Sequence, residues 1–270
     1  MALAETAYAK INLALHVRRR REDGYHEIET VFAFVDDGDR LVASPASRDV
    51  VNVKGEFAGA LDDPLGNIVA KALARFRHVP GWSVILEKRL PVAAGLGGGS
   101  ADAGAIIRMV RQWGGLPEDW RVRAAGLGAD VPACVESVTC IGTGTGTDLR
   151  PLASDLAGTP VLLVNPRVPL ATGPVFQAWD GKDRGALPSG DARAIALAGR
   201  NDLEAPAIGL CSAIADVLSA LRDTRPLLAR MSGSGATCFA LYDSDGAMRE
   251  AAAKIASDHP EWWRMQGALR

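Results

Sequence analysis

Alternating apolar and polar residues open the chain and predict a β-strand over residues 8–17. One face of this strand carries Ala9, Ile11, Leu13, Leu15 and Val17, and the other carries Tyr8, Lys10, Asn12, Ala14 and His16. A charged run then meets Asp23-Gly24, a hairpin-type turn signal. A second strand is predicted over residues 27–34, and shorter strand-like pieces follow at residues 40–43 and 50–53.

Helical spacing follows over residues 67–76, where Asn67 is the expected N-cap. The later elements are a strand at 83–86, helices at 101–113 and 117–125, a glycine- and threonine-rich loop at 139–147, a strand at 160–164, a helix at 212–221, two short strands around a Gly-Ser turn within 229–242, a helix at 245–255 and a final strand from Trp263. The strands cluster early, so the pattern predicts an α+β fold rather than a regular β-α-β array. A domain boundary is expected near residue 150, which gives segments 1–150 and 151–270.

Composition excludes several classes of protein. The 270 residues are 48% hydrophobic and 23% charged, with a net charge of -2, so no global basic field would attract nucleic acid or an anionic membrane. Arg18–Arg21 is the one dense basic cluster, interpreted as a solvated hairpin end or as an aid in attracting an anion. The N-terminus lacks a secretory pattern, and no stretch is apolar for the roughly 18–20 residues that span a bilayer. A cytoplasmic protein without a nucleic-acid or membrane partner is expected.

The cysteines and histidines predict no metal site. Cys134, Cys140, Cys211 and Cys238 form no C-x-x-C pair, and no two histidines have H-x-x-x-H spacing. Buried, reduced thiols are expected, which fits a reducing compartment.

Five glycines within residues 91–105, PVAAGLGGGSADAGA, lie between a predicted strand and a predicted helix. A linker would not lead at once into an amphipathic helix, and a structural turn needs one or two glycines. Amides at a helix N-terminus lack internal partners, and glycines let a phosphate approach them, so the run indicates a phosphate site. The Walker A, dinucleotide and hydrolase-elbow patterns fail at Asp183, Ser100 and Asp102 respectively.

This run resembles the central ATP loop of the GHMP kinases, which include galactokinase and the homoserine, mevalonate and phosphomevalonate kinases. Three further segments are similar to motifs of that family, namely residues 8–32 with AYAKINLALHV and DGYHEIETVF, residues 127–135 with LGADVPACV, and residues 231–242 with MSGSGATCFALY. The four motifs occur in family order and span nearly the whole chain.

The resemblance implies the two-domain GHMP kinase fold. In it, a ribosomal protein S5 domain 2-like N-terminal domain binds ATP, and a ferredoxin-like C-terminal domain contributes to the substrate site. It also implies phosphoryl transfer from ATP, with Mg²⁺, to an alcohol. Within the family, the D-G-Y-H element at residues 23–26 points to the 2-hydroxyl of 4-diphosphocytidyl-2-C-methyl-D-erythritol, giving the 2-phosphate and ADP in the non-mevalonate isoprenoid pathway. The partner is then a small molecule with a cytidine diphosphate moiety, and a monomer or weak homodimer is expected.

The resemblance assigns Asp130 as the general base and places the Lys10 ammonium near it, where it would keep the base ionised and offset developing charge. The plain alternatives are a turn or capping aspartate and a solvated strand lysine. The implied ATP contacts are Pro91, Ala94, Gly95, Leu96, Gly97, Gly98, Gly99, Ser100, Ala101 and Lys88. Lys88 could instead snorkel from a strand end. Ser100, also a candidate for phosphate or magnesium, or Asp102 could be only an N-cap.

The cytosine base is assigned by the same resemblance to Tyr25, which would stack on it, and to His26, which would hydrogen-bond it. Phe176 would be the second stacking face and Thr172 a polar contact, and Asn12 would hydrogen-bond the substrate or the aspartate. Tyr25 could otherwise be a packing cap over the hairpin, and Phe176 simply a core residue.

Two other functions remain open. Another GHMP kinase acting on a small alcohol would reject cytidine diphosphate substrates, and Tyr25-His26 argues against it. A catalytically silent, ligand-binding relative would be expected to lack Lys10 or Asp130, and both are present.

Overall fold

Two long strands joined by a hairpin begin the fold. The computed structural model describes residues 2–61 and 67–270, and these strands are β1 (Leu3–Arg20) and β2 (His26–Ala46). Both predicted N-terminal strands are confirmed, and residues 40–43 are also in a strand, although they continue β2 and do not form a separate piece. The polar residues around Gly38 do not interrupt the strand, since Gly38 lies directly against the backbone of Ala7, where a Cβ would overlap a carbonyl oxygen.

The chain divides into two compact units, and neither is continuous in sequence. The first unit runs up to Lys10 and adds Asp37–Val92 and Gly97–Ser137, and the second combines Ile11–Asp36, Ala93–Leu96 and Val138–Arg270. Each of the two long strands therefore contributes residues to both units. The boundary near residue 150 stays a prediction.

The first unit contains the first part of β1, the last part of β2, two further strands and the helices that pack with them. Residues 40–46 of β2 pair antiparallel with β4 (Gly81–Glu87), which pairs in parallel with β3 (Val50–Lys54). The helices are α1 (Ile68–Arg75), α2 (Gly98–Gly114), α3 (Trp120–Ala125) and α4 (Val131–Glu136), with a 3-10 turn at Ala58–Ala60. Asn67 is confirmed as the N-cap of α1, because its side chain accepts the Val69 N–H. Helix α2 begins three residues earlier than predicted, and α4 was not predicted.

In the second unit, residues 30–32 of β2 pair antiparallel with β5 (Cys140–Thr143), which pairs with β6 (Asp148–Pro151). The prediction of a loop at residues 139–147 is wrong for β5. Gly142 lies against Phe32, where a Cβ would stand 2.7 Å from the ring. The scarcity of large side chains therefore reflects a strand segment that packs under an aromatic ring.

A four-stranded antiparallel sheet completes the second unit. It contains β7 (Pro160–Asn165), β8 (Leu228–Met231), β9 (Cys238–Leu241) and β10 (Trp263–Ala268), in the order β10-β7-β9-β8. Four helices connect β7 to β8, namely α5 (Thr172–Gln177), α6 (Ala192–Ala198), α7 (Glu204–Leu210) and α8 (Ala213–Asp223), and α9 (Asp245–Asp258) connects β9 to β10. This β-α-β-β-α-β order confirms the predicted ferredoxin-like domain.

The core of the second unit lies between this sheet and its helices. Its buried residues include Leu162 and Val164 from the sheet, Ile214 and Val217 from α8, and Ile255 from α9. Among the described residues, none of the helices combines the length and the apolar character needed to cross a bilayer.

Candidate functional site

The glycine run ends in a helix N-terminus in the first unit. Gly97 has φ 61° in the left-handed region and is the N-cap of α2, which begins at Gly98 and includes Gly99 and Ser100 in its first turn. The first amide groups of a helix have no intrahelical acceptor and carry partial positive charge. This geometry can bind a phosphate group.

Lys10 and Asp130 form an ion pair in the first unit. Lys10 Nζ lies 3.0 Å from Asp130 Oδ2, and the side chains are 5% and 31% exposed. The alternative of a solvated strand lysine is therefore wrong. Asp130 does occupy the N-cap position of α4, as the capping alternative expected, but its side chain makes no cap hydrogen bond there. A Cβ on Gly97 would stand 2.9 Å from Lys10 Cε and 3.6 Å from Asp130 Oδ2, so the pair lies at the start of α2.

Lys88 lies inside the first unit and not at its surface. Its ammonium donates to Asp39 and, at 2.8 Å, to Asp102 Oδ2, so the snorkelling alternative is wrong. Burial alone would lower the pKa of Lys88, but the two carboxylates outweigh it and raise that pKa. Asp102 faces this ammonium from within α2 and is not an N-cap. Burial, opposed by Lys88 and reinforced by Asp39, raises the pKa of Asp102 to about 8.

The buried triad of Lys88, Asp39 and Asp102 lies directly against Gly98 of the glycine run. A Cβ on Gly98 would stand 3.0 Å from Lys88 Nζ, and the Asp39 carboxylate accepts the N–H groups of Arg89 and Leu90. Direct contact of Lys88 with nucleotide stays a prediction. The structure gives its ammonium two carboxylate partners instead.

The first half of the glycine run belongs to the second unit and contacts the predicted Gly-Ser turn. Ser232 Oγ donates to Gly95 O at 2.8 Å, and the Thr237 N–H donates to Ala94 O at 3.2 Å. Gly95 has φ 75°, and a Cβ there would overlap the Ser232 carbonyl oxygen. The hairpin of β8 and β9 is confirmed. The other predicted loop residues, Pro91, Leu96 and Ala101, are buried.

The aromatic residues of the predicted base site lie in the second unit. His26 is 8% exposed, and its ring centroid lies 5.0 Å from that of Phe176 and 5.8 Å from that of Trp179. His26 Nε2 is buried and has no hydrogen-bond partner among the described atoms. Burial, and then the charge of Arg20, lowers the pKa of the imidazole below its usual 6.5. A neutral imidazole with a free nitrogen can donate to or accept from a ligand.

Tyr25 and Phe176 differ in their surroundings. Tyr25 is 65% exposed, whereas Phe176 is half-buried and packs against the core of the second unit. Phe176 is therefore partly a core residue, as the alternative expected, and its ring also contacts His26. Stacking of either residue on a base stays a prediction.

Thr172 and Asn12 already have polar partners within the second unit. Thr172 Oγ1 lies 3.0 Å from Ser234 Oγ. Asn12 donates from Nδ2 to Thr30 Oγ1 at 2.8 Å and from its backbone N–H to Ser232 Oγ at 3.2 Å. Their contacts with substrate stay predictions.

Sequence reasoning missed several residues that support these groups. Asn201 Nδ2 donates to the carbonyls of Met231 and Gly233, both at 2.8 Å, and so holds the Gly-Ser turn. No sequence signal marked Asn201. Trp179, by contrast, follows Phe176 at helical spacing, which could have indicated a second aromatic residue on the same side.

Comparisons with known proteins agree with this geometry. The descriptions "GHMP kinases N terminal domain" and "GHMP kinases C terminal" match residues 67–138 and 184–261. A crystal structure of 4-(cytidine 5'-diphospho)-2C-methyl-D-erythritol kinase matches with a TM-score of 0.80 and 30% identity, covering 99% of each chain. Homoserine kinase from Cytophaga hutchinsonii matches with a TM-score of 0.68 at 16% identity, covering 99% of this chain and 95% of its own, which shows a shared fold.

Two curated relatives are much more similar in sequence. The 4-diphosphocytidyl-2-C-methyl-D-erythritol kinase of Novosphingobium aromaticivorans is 68% identical, covering 100% of this chain and 94% of the relative. The enzyme of the same name from Erythrobacter litoralis is 60% identical, covering 99% and 100%. With the paired Lys10 and Asp130 at a glycine-rich helix start, this similarity shows that the chain belongs to the 4-diphosphocytidyl-2-C-methyl-D-erythritol kinase family of the GHMP kinases.

Proposed function

We propose that this chain transfers the γ-phosphate of ATP to the 2-hydroxyl of 4-diphosphocytidyl-2-C-methyl-D-erythritol. The products are the 2-phosphate and ADP, in the non-mevalonate isoprenoid pathway. The observation that carries the proposal is the Lys10–Asp130 pair at the N-terminus of α2. It supplies a base, a cation and a phosphate-binding helix end in one place.

Asp130 acts as the general base in this proposal. Its carboxylate is about one-third exposed and can accept the proton of the attacking hydroxyl, whereas Lys10 is buried beside it. The lysine charge offsets negative charge that develops on the transferring group. Once the hydroxyl oxygen attacks phosphorus and the bond to the ADP oxygen breaks, Asp130 holds the proton.

The N-terminal turn of α2 binds the phosphates of ATP in this scheme. The backbone amides of Gly98, Gly99 and Ser100 form the cradle, and the predicted contacts of the remaining loop residues with ATP belong to this proposal. Mg²⁺ prefers oxygen ligands and is commonly held by one or two carboxylates together with substrate phosphates. The Ser100 hydroxyl would supply one such oxygen ligand beside the phosphates. Bound Mg²⁺ neutralises phosphate charge during phosphoryl transfer.

Recognition of the cytosine is assigned to the second unit. The buried, unpaired His26 Nε2 supports a hydrogen bond to the base, and Phe176 and Tyr25 supply aromatic faces. We assign Asn12 and Thr172 to polar contacts with the rest of the substrate. Residues 1–150 would then form the ATP-binding domain, and 151–270 would contribute to the substrate site.

A cytoplasmic location, a monomer or weak homodimer, and the absence of nucleic-acid and membrane partners are part of the same proposal. The four cysteines Cys134, Cys140, Cys211 and Cys238 are buried thiols, which supports a reducing compartment.

The test is ADP release by the purified protein with Mg-ATP and 4-diphosphocytidyl-2-C-methyl-D-erythritol, with the product checked by phosphorus NMR. Substrate-dependent ADP and a new phosphomonoester signal are expected. ADP release only with another small alcohol would favour the other GHMP kinase function. ATP binding without turnover of any alcohol would favour the silent relative.

A further inference from the structure

The four consecutive arginines Arg18–Arg21 have different partners. Three of them face carboxylates: Arg18 lies 3.1 Å from Asp183, Arg19 lies 2.7 Å from Glu27, and Arg21 lies 2.8 Å from Asp23. These pairs neutralise most of the basic run. The remaining residue, Arg20, has no carboxylate within ion-pair distance in the described part of the chain, and its contacts are of another kind.

Arg20 donates to two backbone carbonyls, one of the last residue of α5 and one just beyond the helix. Its Nη2 lies 2.9 Å from Gln177 O and 2.6 Å from Trp179 O. A charged donor makes stronger hydrogen bonds than a neutral one. Arg20 therefore fixes the last residue of α5 and the segment that follows to the end of β1.

The segment held by Arg20 carries the aromatic rings that contact His26. Phe176 precedes Gln177, and its ring centroid lies 5.0 Å from that of His26. The buried Trp179 ring meets the same imidazole edge-on at 5.8 Å. His26 opens β2 across the hairpin from Arg20, and the Arg21 N–H donates to Tyr25 O at 2.8 Å to close that hairpin. The rings on one side and Arg20 on the other thus attach α5 to the hairpin at two points.

We propose that Arg20 is a positioning residue for base recognition, which holds Phe176 and Trp179 against His26 through its hydrogen bonds to Gln177 and Trp179. This inference rests on the proposed function and deepens it, since it names a residue that determines affinity for the cytidine part of the substrate. Arg20 itself need not touch the base.

The charge of Arg20 gives a second reason for its placement. Burial lowers the pKa of His26 most, and Arg20 lowers it further. The other elements around this ring add little charge, because α5 carries no charged residue. Asp180 is paired with Arg184 at 2.7 Å, and Glu27 is paired with Arg19. The neutral imidazole keeps one nitrogen able to accept a hydrogen bond.

The experiment compares Arg20→Met with Arg19→Met, a matched control that removes the neighbouring charge without touching α5. Steady-state kinetics of each variant and of the wild type are measured with the cytidine substrate and with ATP. We expect Arg20→Met to raise the KM for the cytidine substrate about tenfold, the cost of disordering a preformed site. The KM for ATP and kcat should stay within about twofold, and Arg19→Met should match the wild type.

A third variant, Arg20→Lys, separates geometry from charge. Lysine keeps the positive charge but lacks the planar guanidinium that reaches both carbonyls. We expect the KM of Arg20→Lys for the cytidine substrate to be raised as well. As the pH is lowered, protonation of His26 should raise this KM further, and the pH at which that second increase begins should be the same as in the wild type. In Arg20→Met the increase in KM on lowering the pH should begin at a higher pH, because loss of the cation near His26 lets the pKa of the imidazole rise.

Equal KM values in Arg20→Met and Arg19→Met would overturn the inference while leaving the proposed function intact. A parallel loss of kcat, ATP affinity and melting temperature would also overturn it, because it would show a general structural role. Failure of the wild type to phosphorylate the cytidine substrate would remove the proposed function and this inference with it.

Discussion

Lys10 Nζ lies 3.0 Å from Asp130 Oδ2, and the lysine is almost fully buried while the aspartate remains open to a ligand. The asymmetry matters because a buried ammonium needs an anionic neighbour, whereas a base needs access to its proton donor. One ion pair meets both needs. Gly97 stands beside both side chains, so the conformation of the glycine loop and that of the pair depend on each other.

Asp130→Asn should nearly abolish turnover, by at least about 100-fold, because the amide cannot accept the hydroxyl proton. The measurement is kcat with saturating Mg-ATP and substrate, and the melting temperature is the control for folding. Full activity in a folded Asp130→Asn enzyme would reject the assignment of the base.

Gly97→Ala should impair both the helix start and the ion pair, whereas Gly99→Ala should be mild. A Cβ at Gly97 would require φ 61° and stand 2.9 Å from Lys10 Cε, but at Gly99 it would meet only Ile68 Cγ2 at an ordinary 3.5 Å. We expect Gly97→Ala to lose about 1 kcal/mol or more of stability, and kcat to fall with it. Urea unfolding and steady-state kinetics of the two variants make the comparison. Equal behaviour of both would show that the loop tolerates side chains throughout.

Tyr25→Ala should weaken binding of the cytidine substrate by roughly 1–3 kcal/mol, the usual value for stacking on a base. Tyr25 is 65% exposed in the structure, so its removal should leave stability nearly unchanged. The measurement is the substrate KM, with Tyr25→Phe as the control that keeps the ring. An unchanged KM in Tyr25→Ala would remove the stacking assignment.

Asp102 should make the protein less stable as pH rises from about 5 to 8. Its pKa in the folded protein is raised to about 8 from 3.8. The folded state therefore retains a proton that the unfolded state has lost, and each pH unit in this range costs up to about 1.4 kcal/mol. Asp102→Asn carries no such proton, so its stability should fall less between pH 6 and pH 8. Urea unfolding of both proteins at the two pH values measures the difference, and parallel losses would contradict the expectation.

The sequence patterns predicted correctly those elements that depend on residues close to one another in the chain. The Asn67 cap, the strand pairs that carry Lys10 and His26, and the hairpin of β8 and β9 depend on residues close in sequence. The glycine run indicated a phosphate site because a helix follows it directly. The resemblance to the family motifs then implied the ferredoxin-like C-terminal domain.

Features that depend on residues distant in sequence could not be predicted in this way. A cap was one alternative for Asp102 because it lies near a helix start, but its partner Lys88 lies 14 positions away in sequence, and Asp39, which binds the same ammonium, lies 49 positions from Lys88. Gly142 indicated a loop because the Phe32 ring that covers it belongs to another strand. Within a run of four identical side chains, no pattern distinguishes Arg20 from its neighbours.

The division of the second unit into separate chain segments has a consequence for its synthesis on the ribosome. All segments of the first unit have been made once residue 137 is reached. In contrast, residues 11–36 of the second unit must wait for the C-terminus, because Phe34 and Val35 pair with Arg270 and Leu269 directly after β10. Strand β10 also covers the outer edge of β7. Such long-range pairing is slow to form, and an uncovered strand edge promotes aggregation. Premature termination just before β10 would therefore release a chain in which the first unit is complete and the second has an open sheet edge.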